Sequence, residues 1–166
     1  LCCFFSHVHS MEQTIATKQE PTAREWNNFT TAVCNDWIKE TESFLTKYQV
    51  SSNKLASSLN LACIHGAMGT VKTLIKHGAD VNGIPHKRPL LSAISISNAT
   101  LVELLLICGA DIFRQYSSEP ESALLTNSIS FTALDLAKHT VQRSAETSDR
   151  RIAEAAKILE FIAQPM

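Results

Sequence analysis

Four side chains of the types that bind zinc lie within the first nine residues of the chain: Cys2, Cys3, His7 and His9. Thiolates and imidazoles are common zinc ligands. Zinc sites normally separate two ligand pairs by a folded loop, and these four residues have no such loop between them. We therefore interpret the segment as part of a leader and predict no metal site.

A second pair, Cys63 and His65, has the residue types of a thiol nucleophile and its base. The two residues are two positions apart on a predicted helix, so their side chains do not face each other. We interpret Cys63 as a buried thiol and His65 as a turn residue. The chain also contains no phosphate-binding glycine loop, no Cys-x-x-Cys pair, no His-Glu-x-x-His pair and no Gly-x-Ser-x-Gly elbow. We predict no enzyme activity and no cofactor.

Basic residues near the C-terminal end are of the types that recognise a phosphate or an acidic peptide. Acidic residues interrupt this group, so we favour a solvated loop and the first turn of a helix. The basic residues are Lys138, His139, Arg143, Arg150 and Arg151, and the interrupting ones are Glu146 and Asp149.

The composition is that of a folded protein without an overall charge bias. The 166 residues are 45% hydrophobic and 19% charged, and the formal net charge is -1. We therefore expect no nucleic-acid partner. We also expect no membrane partner, since no apolar run approaches the roughly 20 residues that span a bilayer. Cys34, Cys63 and Cys108 fall in helical patterns, which is typical of buried free thiols, and we predict a cytoplasmic location.

An internal repeat organises the middle of the chain. Residues 77–82 (His-Gly-Ala-Asp-Val-Asn) are echoed 31 positions later by residues 108–112 (Cys-Gly-Ala-Asp-Ile). Each copy follows an apolar segment with helical periodicity, so its glycine is placed where a helix ends in a left-handed residue. We therefore predict a positive φ for Gly78 and Gly109. In the turn of the second unit, Asn98 is expected to take the left-handed conformation.

This pattern resembles the ankyrin repeat family. The family's Thr-Pro-Leu-His-x-Ala box is similar to residues 57–62, 88–93 and 132–137, although the box histidine is absent from all three. Its hydrogen bonds must therefore be replaced or lost. The resemblance implies an all-α solenoid of about four stacked helix-turn-helix units, with the outer two acting as capping repeats.

The resemblance divides the chain into a leader, residues 1–27, and an ankyrin-repeat domain, residues 28–163. It is strongest over residues 59–112, and the flanking units are degenerate. We expect the leader to be partly disordered or derived from cloning, with Met11 as the natural start. We also expect residues 163–166 to form a finished terminus.

Aromatic residues cluster in the N-terminal third of the chain. Tryptophan is a typical anchor of interfaces, but aromatic residues more often seal the end of a helical stack, which is the role we expect here. The residues concerned are Trp26, Phe29, Trp37 and Phe44.

The resemblance also implies that the chain binds a protein partner through loop tips and first helices. Residues 113–130 form a longer loop than the family has, and insertions often map to the binding face. Tyr116 in this loop is an anchor type, so we expect it to contribute to recognition. The implied partner-binding positions are Ile84, His86, Lys87 and Arg88 in the first loop, Arg114, Gln115, Tyr116 and Glu119 in the second, and Asn60, Ile64, Leu91 and Ser95 on first helices.

Two other functions stay open at this point. Ankyrin arrays are often fused to catalytic domains, so the chain could be a regulatory or targeting fragment of a larger enzyme. It could also be an effector of an intracellular bacterium that mimics host ankyrin adaptors in the host cytosol. We expect a monomer, and the sequence does not identify its protein partner.

Overall fold

The computed structural model of the chain describes residues 20–114, 116–117, 130–144 and 149–163, and eight helices lie within them. Two short strands, β1 (Tyr116–Ser117) and β2 (Ser130–Phe131), pair antiparallel, with Tyr116 opposite Phe131. The helices are α1 (Ala23–Cys34), α2 (Ile38–Lys47), α3 (Ser52–His65), α4 (Met68–Lys76), α5 (Pro89–Ser95), α6 (Ala99–Ile107), α7 (Ala133–Ser144) and α8 (Asp149–Ala163).

The helices pair in chain order and stack in two layers. In the first layer α1 contacts α3, α3 contacts α5, and α5 contacts α7. Each of these first helices packs against the helix that follows it, and in the second layer α2 contacts α4 and α6 contacts α8. The prediction of an all-α stack of paired helices is confirmed.

The core lies between the two layers. A helix pair cannot bury its apolar face alone, so neighbouring units complete one continuous core. The largest fully buried side chains include Leu59, Leu74, Ile94, Leu101, Leu105 and Ile158.

Helix α1 begins inside the segment that the sequence assigns to a leader, five residues before the predicted domain boundary at residue 28. A capping box starts it: the Thr22 hydroxyl accepts a hydrogen bond from Glu25 N, and the Glu25 carboxylate accepts one from Thr22 N at 2.9 Å. Trp26 then packs its ring 5.6 Å from that of Phe29 and adds apolar burial to this first turn. Residues 1–19, with the four zinc-ligand types, lie outside the described residues.

A left-handed residue stands in the turn of each of the first three units. Asp36 has φ 57°, Gly66 has φ 68° and Ser97 has φ 57°. The expectation that Asn98 would be the left-handed residue is wrong. Asn98 has φ -100° and instead caps α6, where its side-chain oxygen accepts a hydrogen bond from Leu101 N at 3.0 Å.

The two glycines of the repeated run behave as predicted. Gly78 has φ 86° and Gly109 has φ 90°. Both follow the last turn of a second helix, so the alignment of the two central units is confirmed in the backbone.

The insertion expected between the last two helices is largely taken up by helix. Helix α7 continues to Ser144 rather than ending near His139, and α8 begins at Asp149 rather than near Arg151. Lys138 and His139 of the basic group are exposed. The side chains of the three arginines of that group lie outside the described ones.

Candidate functional site

The loop between α4 and α5 (residues 79–88, finger 1) folds into a tight hairpin. Ile84 N donates to the Lys87 carbonyl at 3.1 Å, and Lys87 N donates to the Ile84 carbonyl at 2.9 Å. Gly83 has φ 67°, and a Cβ at this position would clash with the Lys87 carbonyl oxygen. Only glycine therefore fits the hairpin here. His86 at the tip also has a positive φ, 66°.

The second residue of each finger is an aspartate that stabilises its own loop. In finger 1 the Asp80 carboxylate accepts a hydrogen bond of 2.9 Å from Asn82 N. Finger 2, residues 110–114, repeats the arrangement, since the Asp111 carboxylate accepts one of 2.8 Å from Phe113 N. An aspartate bonded to the backbone two residues on fixes a turn, so both loops leave the stack with a defined direction.

Asn82 joins finger 1 to finger 2. Its side-chain oxygen accepts a hydrogen bond of 2.7 Å from Asp111 N. Its carbonyl oxygen accepts one of 3.2 Å from Arg114 Nη1. These two bonds hold the fingers together as one surface, which lowers the entropy lost when a partner binds. Sequence reasoning missed Asn82, although it is the last residue of the repeated run.

Four of the predicted binding residues come together on finger 1. His86 and Lys87 are exposed, and Ile84 and Arg88 are half-buried. Sequence reasoning did not single out Phe113 on finger 2, which is 76% exposed. The signal for it is its place directly after the buried Ile112 of the repeat, where the chain turns outward.

The rest of the second loop is only partly described. Arg114 is half-buried and bonded to finger 1. The backbone of Tyr116 lies in β1, but its side chain is not among the described ones. Gln115 and Glu119 lie outside the described residues. The expected contribution of Tyr116 to binding stays a prediction.

Two of the predicted binding residues belong to the core. Asn60 is 7% exposed and Leu91 is 8% exposed, so neither presents its side chain to a partner. The Asn60 side-chain oxygen accepts a hydrogen bond of 2.9 Å from the Ser92 hydroxyl and links α3 to α5. Asn60 occupies the position of the missing box histidine, and a buried amide needs such a hydrogen-bond partner. Placing these two residues on the binding face was wrong.

Ile64 and Ser95 are exposed, but at the far end of the first helices. Finger 1 leads directly into α5, and Ser95 is the last of the seven residues of that helix. The rise of an α-helix separates the two ends by about 10 Å. Ile64 likewise lies near the end of α3. An open cleft of about 600 Å³ lies at this turn edge and is lined by Gly66 and Ile96 among others. The predicted site is therefore divided between the fingers and the turn edge.

The cysteines among the described residues are free thiols. Cys63 is fully buried, and burial raises the pKa of its thiol to about 12, so it does not ionise near neutral pH. Its prediction as a buried thiol is confirmed, and His65 is an exposed residue next to the turn. Cys34 and Cys108 are half-buried rather than buried.

The described residues contain neither a cluster of metal-ligand types nor a membrane-spanning helix. Within residues 20–114, 116–117, 130–144 and 149–163, no group of three His, Cys, Asp or Glu side chains could hold a metal ion. Within the same ranges, no helix is long and apolar enough to cross a membrane.

Aromatic rings close the N-terminal end of the stack. The Phe29 and Phe44 rings stack with centroids 4.2 Å apart, and Tyr48 packs against Phe44 at 4.8 Å. Three of the four aromatic residues of the predicted cluster, Trp26 included, therefore pack together. Trp37 does not share this packing and is 50% exposed at the turn before α2.

A carboxylate borders these rings. The Tyr48 hydroxyl donates to Glu25, and the Thr22 backbone and hydroxyl donate to the same side chain. These bonds, with Tyr48 first, lower the pKa of Glu25 to about 2. Lys47 Nζ, 3.6 Å from the carboxylate, acts in the same direction.

The comparisons with known proteins identify the repeat. Residues 56–85 match the family model described as ankyrin repeat. The matched segment covers most of α3, all of α4 and the first part of finger 1. A comparison with curated proteins finds no match. The chain therefore contains an ankyrin repeat, set in an all-α, ankyrin-like stack of helix pairs.

Proposed function

We propose that the chain is an interaction module that binds a protein partner on the surface of fingers 1 and 2. Ankyrin repeats are in general protein–protein interaction modules. The observation that carries the proposal is the pair of hydrogen bonds through which Asn82 holds Asp111 and Arg114. A surface that is already ordered loses less entropy on binding than two separate loops.

The side chains on this surface are suited to recognition. Phe113 is 76% exposed, although an aromatic ring of this size is normally buried or half-buried. Aromatic residues and arginine are enriched among the residues that dominate binding energy. Lys87 and His86 are exposed on the other finger. The two fingers thus offer an apolar contact and polar donors.

The remaining parts of the proposal concern the setting. We propose that the chain is a monomer. We also propose that it works in a reducing compartment, because Cys34, Cys63 and Cys108 are free thiols. The nature of the surface supports a protein partner rather than a small-molecule substrate, since the fingers project outward instead of enclosing a cavity.

Site-specific photo-crosslinking tests the proposed surface. A photoreactive phenylalanine analogue replaces Lys87 in one variant of the full chain and Lys72, an exposed residue of α4, in the control. After irradiation in cell lysate, we expect a discrete cross-linked protein from position 87 and none from position 72. Cross-linking from position 72 alone would place the partner on the second helices and contradict the proposal.

A further inference from the structure

We propose that fingers 1 and 2 recognise an acidic segment that carries an apolar residue. This inference rests on the proposed function and specifies the chemistry of the partner. It follows from the uneven distribution of charged residues along the chain, which the net charge of -1 does not reveal.

The segment between Glu42 and Glu103, which runs from α2 into α6, is basic. Between Glu42 and Glu103 the chain has six lysines and arginines, and Asp80 is the single acidic residue in that segment. The acidic residues that balance this excess lie on either side of the segment, since the whole chain is close to neutral. A carboxylate that approaches this segment therefore meets an attractive field.

The positive charge of finger 1 is concentrated at its tip. Lys87 and Arg88 directly follow the tip residue His86, and Lys87 is exposed. Arg114 reaches this finger from finger 2, because its Nη1 donates to the Asn82 carbonyl at 3.2 Å. One hydrogen bond leaves further donors on the guanidinium, and a guanidinium suits the geometry of a carboxylate.

Among the described residues, the two aspartates of the fingers are engaged in their own loops. Asp80 and Asp111 stand at the bases of the fingers, and each accepts a backbone hydrogen bond from the residue two positions on. Helices α4 and α5, which flank finger 1 in the chain, contain no acidic residue. A bound acidic segment would therefore meet few like charges among the described residues of this surface.

The apolar part of the inference comes from the exposed ring on finger 2. Phe113 is 76% exposed and directly precedes Arg114. A partner residue that covers this ring removes apolar surface from water and excludes water from the neighbouring charges. An acidic segment without an apolar residue would leave the ring exposed.

Peptide display on the full chain tests this inference. A random library of peptides of about 12 residues, long enough to span a hot-spot cluster, is selected on the wild-type protein. Enriched peptides are then measured by direct binding to three variants: Lys87→Glu, Phe113→Ser and the control Lys72→Glu. Lys72 is also an exposed lysine of the basic segment, but it lies on α4 and not on a finger.

We expect the enriched peptides to contain several Asp or Glu residues around an aromatic or aliphatic one. Both finger variants should weaken binding at least about tenfold, while Lys72→Glu should change it by less than about twofold. The affinity for wild type should also fall as the salt concentration rises.

Two results would overturn the inference in distinguishable ways. Neutral or basic peptides whose binding depends on Lys87 and Phe113 would refute the acidic segment but leave the fingers as the binding surface. If no peptide is enriched, or if the enriched peptides are indifferent to both finger variants, the fingers do not recognise an acidic segment. The cross-linking at position 87 then decides whether they still bind a folded protein.

Discussion

The carboxylate of Asp36 accepts a hydrogen bond of 2.6 Å from the backbone N–H of Thr70, 34 residues further along the chain. Its other oxygen accepts one of 3.3 Å from Gly69 N. Helix α4 has no side-chain cap of its own, because Ala67 stands at its N-cap position. The first unit therefore caps the second helix of the next unit.

Substitution of Asp36 separates the cap from the backbone requirement, since the residue also has φ 57°. Asp36→Ala loses the cap and places alanine in the left-handed region, so we expect a loss of about 1–3 kcal/mol in the free energy of unfolding. Asp36→Asn keeps an acceptor and tolerates this conformation, and it should cost less. Chemical denaturation measures both values, and a loss for Asp36→Asn as large as that for Asp36→Ala would contradict a cap that needs only an acceptor oxygen.

The bond between Asn60 and Ser92 predicts energetic coupling between α3 and α5. Asn60→Ala and Ser92→Ala should each destabilise the fold, because the first leaves the half-buried Ser92 hydroxyl without its partner and the second leaves the buried Asn60 amide without its partner. In a double-mutant cycle we expect a coupling of about 0.5–1.5 kcal/mol, measured by chemical denaturation. Strictly additive losses would mean that the two side chains do not act together.

Gly83→Ala should disturb the local backbone far more than Gly78→Ala does. Both glycines have a positive φ, so both substitutions strain the backbone. At Gly78 a Cβ meets nothing within 4 Å, whereas at Gly83 it would clash with the Lys87 carbonyl. We expect Gly83→Ala to open the hairpin and to accelerate limited proteolysis within residues 79–88, with Gly78→Ala as the matched control. Identical proteolysis patterns for the two variants would contradict the tight hairpin.

The lowered pKa of Glu25 predicts an acid-dependent contribution to stability. The ordinary value is 4.5 and the folded value is about 2, so the stabilisation is present above about pH 4.5 and is lost as the pH falls through about 2. The difference in unfolding free energy between wild type and Glu25→Gln should shrink over that interval. Tyr48→Phe should raise the pKa of Glu25 toward 4.5, since Tyr48 is the largest cause of the shift, and NMR titration measures this pKa. An unchanged pKa in this variant would refute that assignment.

The repeat spacing predicted the parts of the fold that depend on local sequence. The periodicity of apolar residues located the central helices, and the Gly-Ala-Asp runs located the helix ends at Gly78 and Gly109. The left-handed turn residues were harder to find. Ser97 takes that conformation beside Asn98, because the asparagine side chain is used as a helix cap instead.

The candidate site was predictable only in part because its geometry depends on contacts between units. Ile84, His86, Lys87 and Arg88 were assigned to one loop from the family pattern, and the structure places all four on finger 1. Burial of Asn60 and Leu91 follows from how α3 and α5 pack together, which spacing within one helix does not reveal.

Contacts that span a whole repeat were equally hidden in the sequence. Asn82 bonds to a backbone group 29 residues away, and Asp36 bonds to one 34 residues away. Neither residue type marks such a bond, since both are common in turns.

The hydrogen bonds of Asn82 also constrain how this surface can evolve. An insertion or deletion in finger 1 would move the oxygens that hold Asp111 N and Arg114, so a change in the length of one loop would disturb the other. Substitutions at the tip, at His86 or Lys87, leave those oxygens in place. Descendants of this chain would therefore acquire new partners most readily by exchanging tip side chains while both loop lengths stay fixed.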